Sequence, residues 1–213
     1  MNVLFVWIPR TGGTSLFDLF RRPPIEMRKI VDGVKRIQSG AFDNQGSVTF
    51  GHCSIRHLVK QNVVSLKYVE DAYKVVFVRN PWDRLASLHR YYLLHKPRTV
   101  ERNAVHTLDK LVNVLESRGF DGLGPRNVRR MTQANPMTAW FRSLESCGVS
   151  FDFVGRFENY EQEVRRLFDL LGVDCPSIPH ENKTRHTRID AALVERVGRL
   201  YAEDIQRFNY TFP

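Results

Sequence analysis

The sequence predicts an α/β fold with a central parallel sheet flanked by helices. Two strand–turn–helix units carry this prediction. The apolar run from Val3 to Ile8 precedes a glycine-bearing turn and a helical apolar repeat, and the run Tyr73–Val78 precedes a second such unit. A third apolar run, from Phe151 to Phe157, also leads into an amphipathic repeat. Strands that alternate with helices favour a parallel sheet, and 213 residues suit one domain over 1–213.

The turn after the first strand has the composition of an anion-binding turn. In such a turn, backbone N–H groups and the positive end of a helix dipole point at a phosphate, and glycine lets the backbone approach it. The guanidinium at its start adds a cation, and three hydroxyl groups add donors. The P-loop pattern G-x-x-x-x-G-K-[ST] is missing, so an ordinary tight turn is the alternative. The residues of the turn are Arg10, Thr11, Gly12, Gly13, Thr14 and Ser15.

A second anion site is predicted after the strand Tyr73–Val78. Arg79 ends this strand, Asn80 suits a helix N-cap, and Pro81 suits the first helical position. Ser87 follows in the second turn of that helix. A guanidinium and a hydroxyl placed in this way can converge on one phosphate, although Arg79 could equally pair with a carboxylate.

The rest of the chain gives weaker signals. Residues 25–38 fit either a short basic helix or an irregular loop, and the stretch from Ser47 to Phe50 reads as a short strand. A further short element is indicated between residues 58 and 64. Apolar repeats predict three more helices. Their expected start and stop signals are Gly119, a capping box of Asn159 and Gln162, Gly172, and Asp190 for a helix reaching Ile205.

Composition limits the partners and the location. The net charge of +9 indicates an anionic partner, such as a nucleotide, an acidic glycan, nucleic acid or a membrane surface. No apolar run is long enough to span a bilayer and no signal peptide is recognised, so no stable membrane insertion is expected. The three cysteines form no C-x-x-C pair and no metal-ligand spacing, which favours a reducing, cytoplasmic location and no metal; they are Cys53, Cys147 and Cys175.

The motifs together resemble those of the sulfotransferases that use 3′-phosphoadenosine 5′-phosphosulfate (PAPS). WIPRTGGTSL resembles their 5′-phosphosulfate loop, and VVFVRNPWDRLASLHRYY resembles their 3′-phosphate motif. RFENYEQEVRRLFDLLGV, NKTRHT and YAEDIQRFNYTF are similar to the carbohydrate-directed branch, which contains the uronyl 2-O-sulfotransferases and bacterial relatives. The resemblance implies a fold related to the P-loop nucleotide kinases, PAPS as donor, PAP as product, and no metal.

The resemblance also implies roles for individual residues. The backbone amides of residues 11–15 hold the 5′-phosphosulfate, and Arg79 and Ser87 hold the 3′-phosphate. Lys183 and Arg185 are candidates for closing over the nucleotide. The family usually has lysine where this chain has Arg10. Arginine stays protonated, so Arg10 can stabilise developing charge but cannot act as a general acid.

His52 is the candidate base that takes the proton of the acceptor hydroxyl. Its setting, VTFGHC, resembles the Gly-His of the uronyl 2-O-sulfotransferases. A histidine past a strand end also lies where open α/β sheets bind ligands. The seven histidines leave packing or surface roles open for it. Other candidates for the base are His57, His180, His186 and Glu158, of which Glu158 is expected instead to support the loop or cap the next helix.

The acceptor is expected to be a hydroxyl of a sugar or glycan. The basic stretches 28–36 and 127–142 suit an acidic glycan. Three aromatic side chains, Trp82, Trp140 and Phe141, could stack on sugar rings or pack in the core, and the core is expected for Trp82.

Two other functions remain open at this point. An ATP- and Mg²⁺-dependent phosphotransferase would share the strand–turn–helix units, but the sequence lacks the GK[ST] signature. A non-catalytic polyanion-binding protein would explain the positive charge, but no nucleic-acid-binding signature is present and no nucleic-acid partner is expected.

Overall fold

The computed structural model describes residues 1–30, 40–95, 105–120, 131–178 and 189–212. Five strands in these residues form one sheet in the order β2-β3-β1-β4-β5, and every neighbouring pair is parallel. The strands are β1 (Val3–Phe5), β2 (Arg28–Lys29), β3 (Val48–Thr49), β4 (Tyr73–Val78) and β5 (Phe153–Arg156). The predicted α/β fold with a central parallel sheet is confirmed.

Helices cover both faces of this sheet. In chain order they are α1 (Gly13–Phe20), α2 (Ile55–Lys60), α3 (Leu66–Asp71), α4 (Pro81–His95), α5 (Leu108–Arg118), α6 (Thr138–Glu145), α7 (Tyr160–Leu171), α8 (Ala191–Leu200) and α9 (Ala202–Phe208). A short 3₁₀ turn, Phe157–Asn159, joins β5 to α7. Among the described residues, no helix combines the length and the apolar character that crossing a membrane requires.

The alternation of side chains along β1 divides the core into two layers. Leu4 and Ile8 pack into one apolar cluster, whereas Val3 and Phe5 pack into the other. The second cluster takes its remaining side chains mainly from α1 and α7, and the first from α2–α6, α8 and α9. A strand buried on both faces reads as a largely apolar run, which is why β1 and β4, with its apolar residues 75–78, were predictable.

Several boundaries differ from the predictions. The first strand was predicted from the apolar run 3–8, but β1 ends at Phe5. The residues after it stay buried as far as Ile8, and Val6 N still donates to Val75 O over 2.9 Å. Residues 28–29 form the exposed strand β2, where a helix or loop was predicted. The short element predicted between residues 58 and 64 is α2, whose N-cap is Ser54.

Two predicted helix ends are wrong in detail. The Asn159 side chain makes no capping bond, because the 3₁₀ turn already leads the chain into α7. The predicted last helix is two helices, α8 and α9, with a break at Tyr201. Tyr201, whose φ of −112° and ψ of 27° are not helical, is buried and donates to the carbonyl of Ala134 over 2.8 Å. Asp190 does cap α8, and Gly172 does end α7.

The aromatic residues proposed to stack on sugar rings are core residues. Trp82, Trp140 and Phe141 are all buried. Trp82 Nε1 donates to Val194 O over 2.8 Å, and Phe141 packs against Phe151 with ring centroids 4.6 Å apart. The core role expected for Trp82 is confirmed, and a sugar-stacking role is excluded for the other two.

Candidate active site

A cavity of about 600 Å³ opens at the carboxyl ends of the strands. The residues that follow β1, β3 and β4 meet there, together with Lys29 of β2 and one face of α4. The predicted site residues among its described lining are Arg10, Gly12, Gly13, Thr14, Ser15, His52, Arg79 and Ser87. The fold therefore brings both predicted anion turns and the candidate base to one cavity.

The first turn is built so that its backbone faces the cavity. Arg10 and Gly12 both have positive φ, at 68° and 82°, and α1 begins at Gly13 with Gly12 as its N-cap. A Cβ on Gly12 would lie 2.9 Å from the rings of Phe157 and Tyr160, and one on Gly13 would lie 2.1 Å from Trp7 Nε1. Only glycine fits at either position without displacing an aromatic ring.

The Thr11 side chain has a structural role in this turn. Thr11 is 1% exposed, and its hydroxyl donates to the carbonyl of Ile8 over 2.9 Å. This hydroxyl therefore closes the turn and does not face the cavity, in contrast to the hydroxyl donor expected from the sequence. Thr14 and Ser15 do line the cavity.

The second turn presents Arg79. Its guanidinium carbon lies 4.2 Å from the centroid of the Phe157 ring, and Nη1 donates to the carbonyl of Arg10 over 3.1 Å. Burial is the largest cause that lowers the pKa of Arg79 to about 10, with smaller opposing effects from Asp83 and Glu158. Arg79 is therefore a cation at neutral pH whose charge is poorly solvated, and such a charge favours an anionic ligand.

Glu158 supports the second turn, as the sequence suggested. Its Oε1 accepts from the backbone N–H of Asn80 over 2.5 Å, and its Oε2 accepts from Tyr210 Oη over 3.1 Å. The Asn80 side chain in turn accepts from Trp82 N over 3.1 Å, which confirms it as the cap of α4. Both Glu158 oxygens are thus engaged in holding the loop.

Arg84 of α4, which sequence analysis did not single out, is hydrogen-bonded to the segment before the first turn. It is 2% exposed; its Nε donates to the carbonyl of Pro9 over 3.0 Å, and Nη2 donates to the carbonyl of Gln133 over 2.9 Å. Burial lowers the pKa of Arg84, while nearby Tyr201 and Asp204 oppose this. Because Arg84 belongs to α4 and Pro9 directly precedes the first turn, this side chain links the first turn to the helix that follows the second turn.

His52 is held in one orientation. Its Nδ1 lies 2.8 Å from the carbonyl oxygen of Trp7, and its ring meets the Trp7 indole edge-on, with centroids 5.7 Å apart. A carbonyl can only accept, so the neutral ring carries its proton on Nδ1 and its lone pair on Nε2. That tautomer is the one a general base needs.

Lys29 is a cation of the site that sequence reasoning missed. Its Nζ stands 4.3 Å from the centroid of the Trp7 indole and 5.6 Å from that of Phe17. The strand that carries it is two exposed, charged residues long, so no apolar pattern marked it. Its only signal was membership of the basic stretch 28–36.

Residues on α4 also line the cavity. They follow Ser87 at helical spacing, so one face of α4 borders the cavity, and this spacing could have found them. These residues are Arg90, Tyr91 and Leu94. Among the described residues, the cations that line the cavity are Arg10, Lys29, Arg79 and Arg90, and no carboxylate lines it. In the same part of the chain, no group of His, Cys, Asp and Glu side chains could hold a metal ion.

The remaining candidates do not join this site. His57 lies on α2 and is not among the described residues that line the cavity. Four other candidates lie outside the described residues: His180, Lys183, Arg185 and His186.

Comparison with known proteins identifies the class of this site. The model of the sulfotransferase family matches residues 8–211. The chain therefore belongs to the sulfotransferase family and is an enzyme that transfers sulfuryl groups. The fold is similar to the crystal structure of a sulfotransferase from Alicyclobacillus acidocaldarius, with a TM-score of 0.59 and 15% identity over 98% of this chain and 94% of that one. No match was found among curated proteins.

Proposed function

We propose that this enzyme takes its sulfuryl group from PAPS and transfers it to a hydroxyl of a carbohydrate, with His52 as the base. One observation carries the proposal: the two turns predicted to bind anions and His52, whose Nδ1 lies against the Trp7 carbonyl, border one cavity lined by cations. A donor with a phosphosulfate at one end and a phosphate at the other matches two such turns. The family membership supports sulfuryl transfer, and the motif resemblance supports PAPS.

The donor would be held by the turns that follow β1 and β4. The backbone N–H groups of residues 11–15 would bind the 5′-phosphosulfate at the start of α1, where the helix dipole favours an anion. Arg79 and Ser87 would bind the 3′-phosphate. No step needs a metal, because the cations of the cavity can balance the charge of the donor.

The transfer itself is an in-line displacement at sulfur. Nε2 of His52 takes the proton from the acceptor hydroxyl while the acceptor oxygen forms its bond to sulfur. The bond from sulfur to the bridging oxygen breaks, and its electron pair remains on the 5′-phosphate of PAP. The proton on the His52 ring is then released to solvent.

A carbohydrate acceptor is supported by the sequence branch and by the surroundings of His52. Lys29 lines the cavity together with His52, and its positive charge suits an acidic sugar. A cytoplasmic location remains part of this proposal; Cys53, Cys147 and Cys175 are free thiols, as a reducing compartment requires.

The donor is tested by thermal shift with PAP and with ATP plus Mg²⁺. A ligand that binds only the folded protein at 100 times its dissociation constant adds about 2.7 kcal/mol of stability. We expect PAP to raise the melting temperature and ATP with Mg²⁺ to have little effect. A larger shift with ATP would favour the phosphotransferase alternative. Binding of both that disappears with moderate salt would favour a polyanion-binding protein.

The acceptor and the base are tested with ³⁵S-labelled PAPS and a panel of neutral and acidic sugars. His52→Ala should lower the transfer rate by about 10²- to 10⁴-fold and leave PAP affinity unchanged. His57→Ala is the matched control, because that histidine lies away from the cavity and should keep the rate. Near-full transfer by His52→Ala to every accepted sugar would exclude His52 as the base.

A further inference from the structure

The Arg10 side chain points away from the turn that carries its backbone. Its Nε and Nη2 donate to the same oxygen, Ser87 Oγ, over 3.1 and 3.0 Å. Its guanidinium carbon lies 5.2 Å from the centroid of the Tyr91 ring. Both contacts belong to α4. Although Arg10 belongs by sequence to the turn for the 5′-phosphosulfate, its charge therefore lies at the second anion turn.

The backbone of Arg10 is tied to the same place. Its φ of 68° is uncommon for a residue with a side chain, and its carbonyl accepts from Arg79 Nη1 over 3.1 Å. One guanidinium thus bonds the backbone of Arg10, and the other bonds the hydroxyl of Ser87. Two arginines and a hydroxyl converge on one small region at the first turns of α4.

Arg10 and Arg79 place two positive charges in this region. Burial lowers the pKa of both arginines, and each of Arg10 and Arg90 lowers the pKa of Arg79. A phosphate monoester carries between one and two negative charges near neutral pH and offers several acceptor oxygens. Two fork-shaped guanidinium groups match that charge and geometry, which one does not.

We propose that Arg10 is a specificity-determining residue of the 3′-phosphate subsite, where it acts with Arg79 and Ser87. It would then select nucleotides that carry a 3′-phosphate, and it would not be the cation at the bridging oxygen of the phosphosulfate. This inference rests on the proposed PAPS donor. The resemblance leads one to expect lysine at position 10. We infer that the arginine found there recognises the 3′-phosphate of the donor.

The test compares two nucleotides that differ only in the 3′-phosphate. Calorimetry would measure the affinities of PAP and of AMP for the wild-type enzyme and for Arg10→Gln. We expect Arg10→Gln to weaken PAP by about 10- to 100-fold, the cost of a charge-assisted interaction, and to leave AMP within about threefold. Arg10→Lys should show a smaller loss that is again confined to PAP, because lysine keeps the charge but not the fork.

Lys29→Gln is the matched control for net charge. It removes one cation from the same cavity, but Lys29 lies over Trp7 and not over Tyr91. Its effects on PAP and AMP should be equal. If Arg10→Gln also weakens PAP and AMP by the same factor, Arg10 acts at the 5′ end and the inference is wrong, while the PAPS donor stands. If wild-type enzyme does not bind PAP, the proposed donor fails and the inference fails with it.

Discussion

A methyl group added at Gly13 should disturb both the turn proposed to bind the donor and the candidate base. The Cβ of Gly13→Ala would lie 2.1 Å from Trp7 Nε1 and 2.3 Å from Trp7 Cδ1. Ordinary contact needs about 3.5 Å, so about 1.4 Å of overlap must be relieved by moving the indole or the turn. The Trp7 indole also contacts the His52 ring, and the Trp7 carbonyl fixes the tautomer of His52. Movement at Trp7 therefore reaches His52.

The expected size follows from the effect of overpacking. Forcing a methyl group into a well-packed site typically costs about 1–3 kcal/mol of stability. At this chain length each kcal/mol lowers the melting temperature by roughly 2–4 °C. The loss of transfer rate should be greater, because a misplacement of about 1 Å can cost around 10²-fold.

Calorimetric unfolding and transfer kinetics of three variants measure this. Gly198→Ala is the matched control: its Cβ would lie at an ordinary 3.5 Å from Trp82, inside α8, and should be neutral or stabilising. Trp7→Phe combined with Gly13→Ala removes the indole nitrogen that the methyl group meets and should recover part of the stability. Wild-type stability and rate in Gly13→Ala alone would refute the packing argument.

Three further changes test the supports of the site. Arg84→Met should cost about 2–5 kcal/mol in urea unfolding, because it removes the donor from the buried carbonyl of Pro9 and from the partly buried carbonyl of Gln133. Arg142→Met, at an exposed ion pair, should cost under about 1 kcal/mol, and equal effects would contradict the role of Arg84. Glu158→Gln should cost about 1–3 kcal/mol and weaken PAP binding, because the turn that carries the second anion site loses its carboxylate; unchanged PAP affinity would count against this. Burial raises the pKa of Asp204, whose ordinary value is 3.8. The contribution of Asp204 to stability is then complete below pH 3.8 and is lost as pH rises through the raised pKa. In urea titrations, the stability of wild type relative to Asp204→Asn should therefore fall as pH rises. A difference that does not change with pH would exclude a raised pKa for Asp204.

The central part of the fold was predictable because its signals are strong and local. The strand Tyr73–Val78 contains the apolar run 75–78, and Asn80 with Pro81 marks the start of α4. The peripheral strand β2 could not be predicted, since its two charged residues belong to the sheet only through bonds to β3. The break at Tyr201 carries no proline signal in the sequence, and the contact that Tyr201 makes there is with Ala134, which is distant in sequence.

Much of the candidate site was predictable for the same reason. Gly12, Gly13, Arg79 and Ser87 lie in short motifs whose backbone geometry follows from the residues themselves. The positions of side chains could not be read in this way. The sequence does not show that the Arg10 guanidinium reaches Ser87, because that contact depends on how far apart the β1 and β4 turns lie.

The order of the strands separates the two halves of the cavity. The residues proposed to hold the donor follow β1 and β4, in the middle of the sheet, whereas Lys29 and His52 belong to the outer strand β2 and to the segment after β3. The two halves meet at Trp7, whose ring contacts Lys29 and His52, so changes in the outer strands that keep these contacts are expected to alter which hydroxyl compound is accepted without rebuilding the nucleotide site. An evolving or engineered enzyme of this architecture can exchange its acceptor while it keeps one donor.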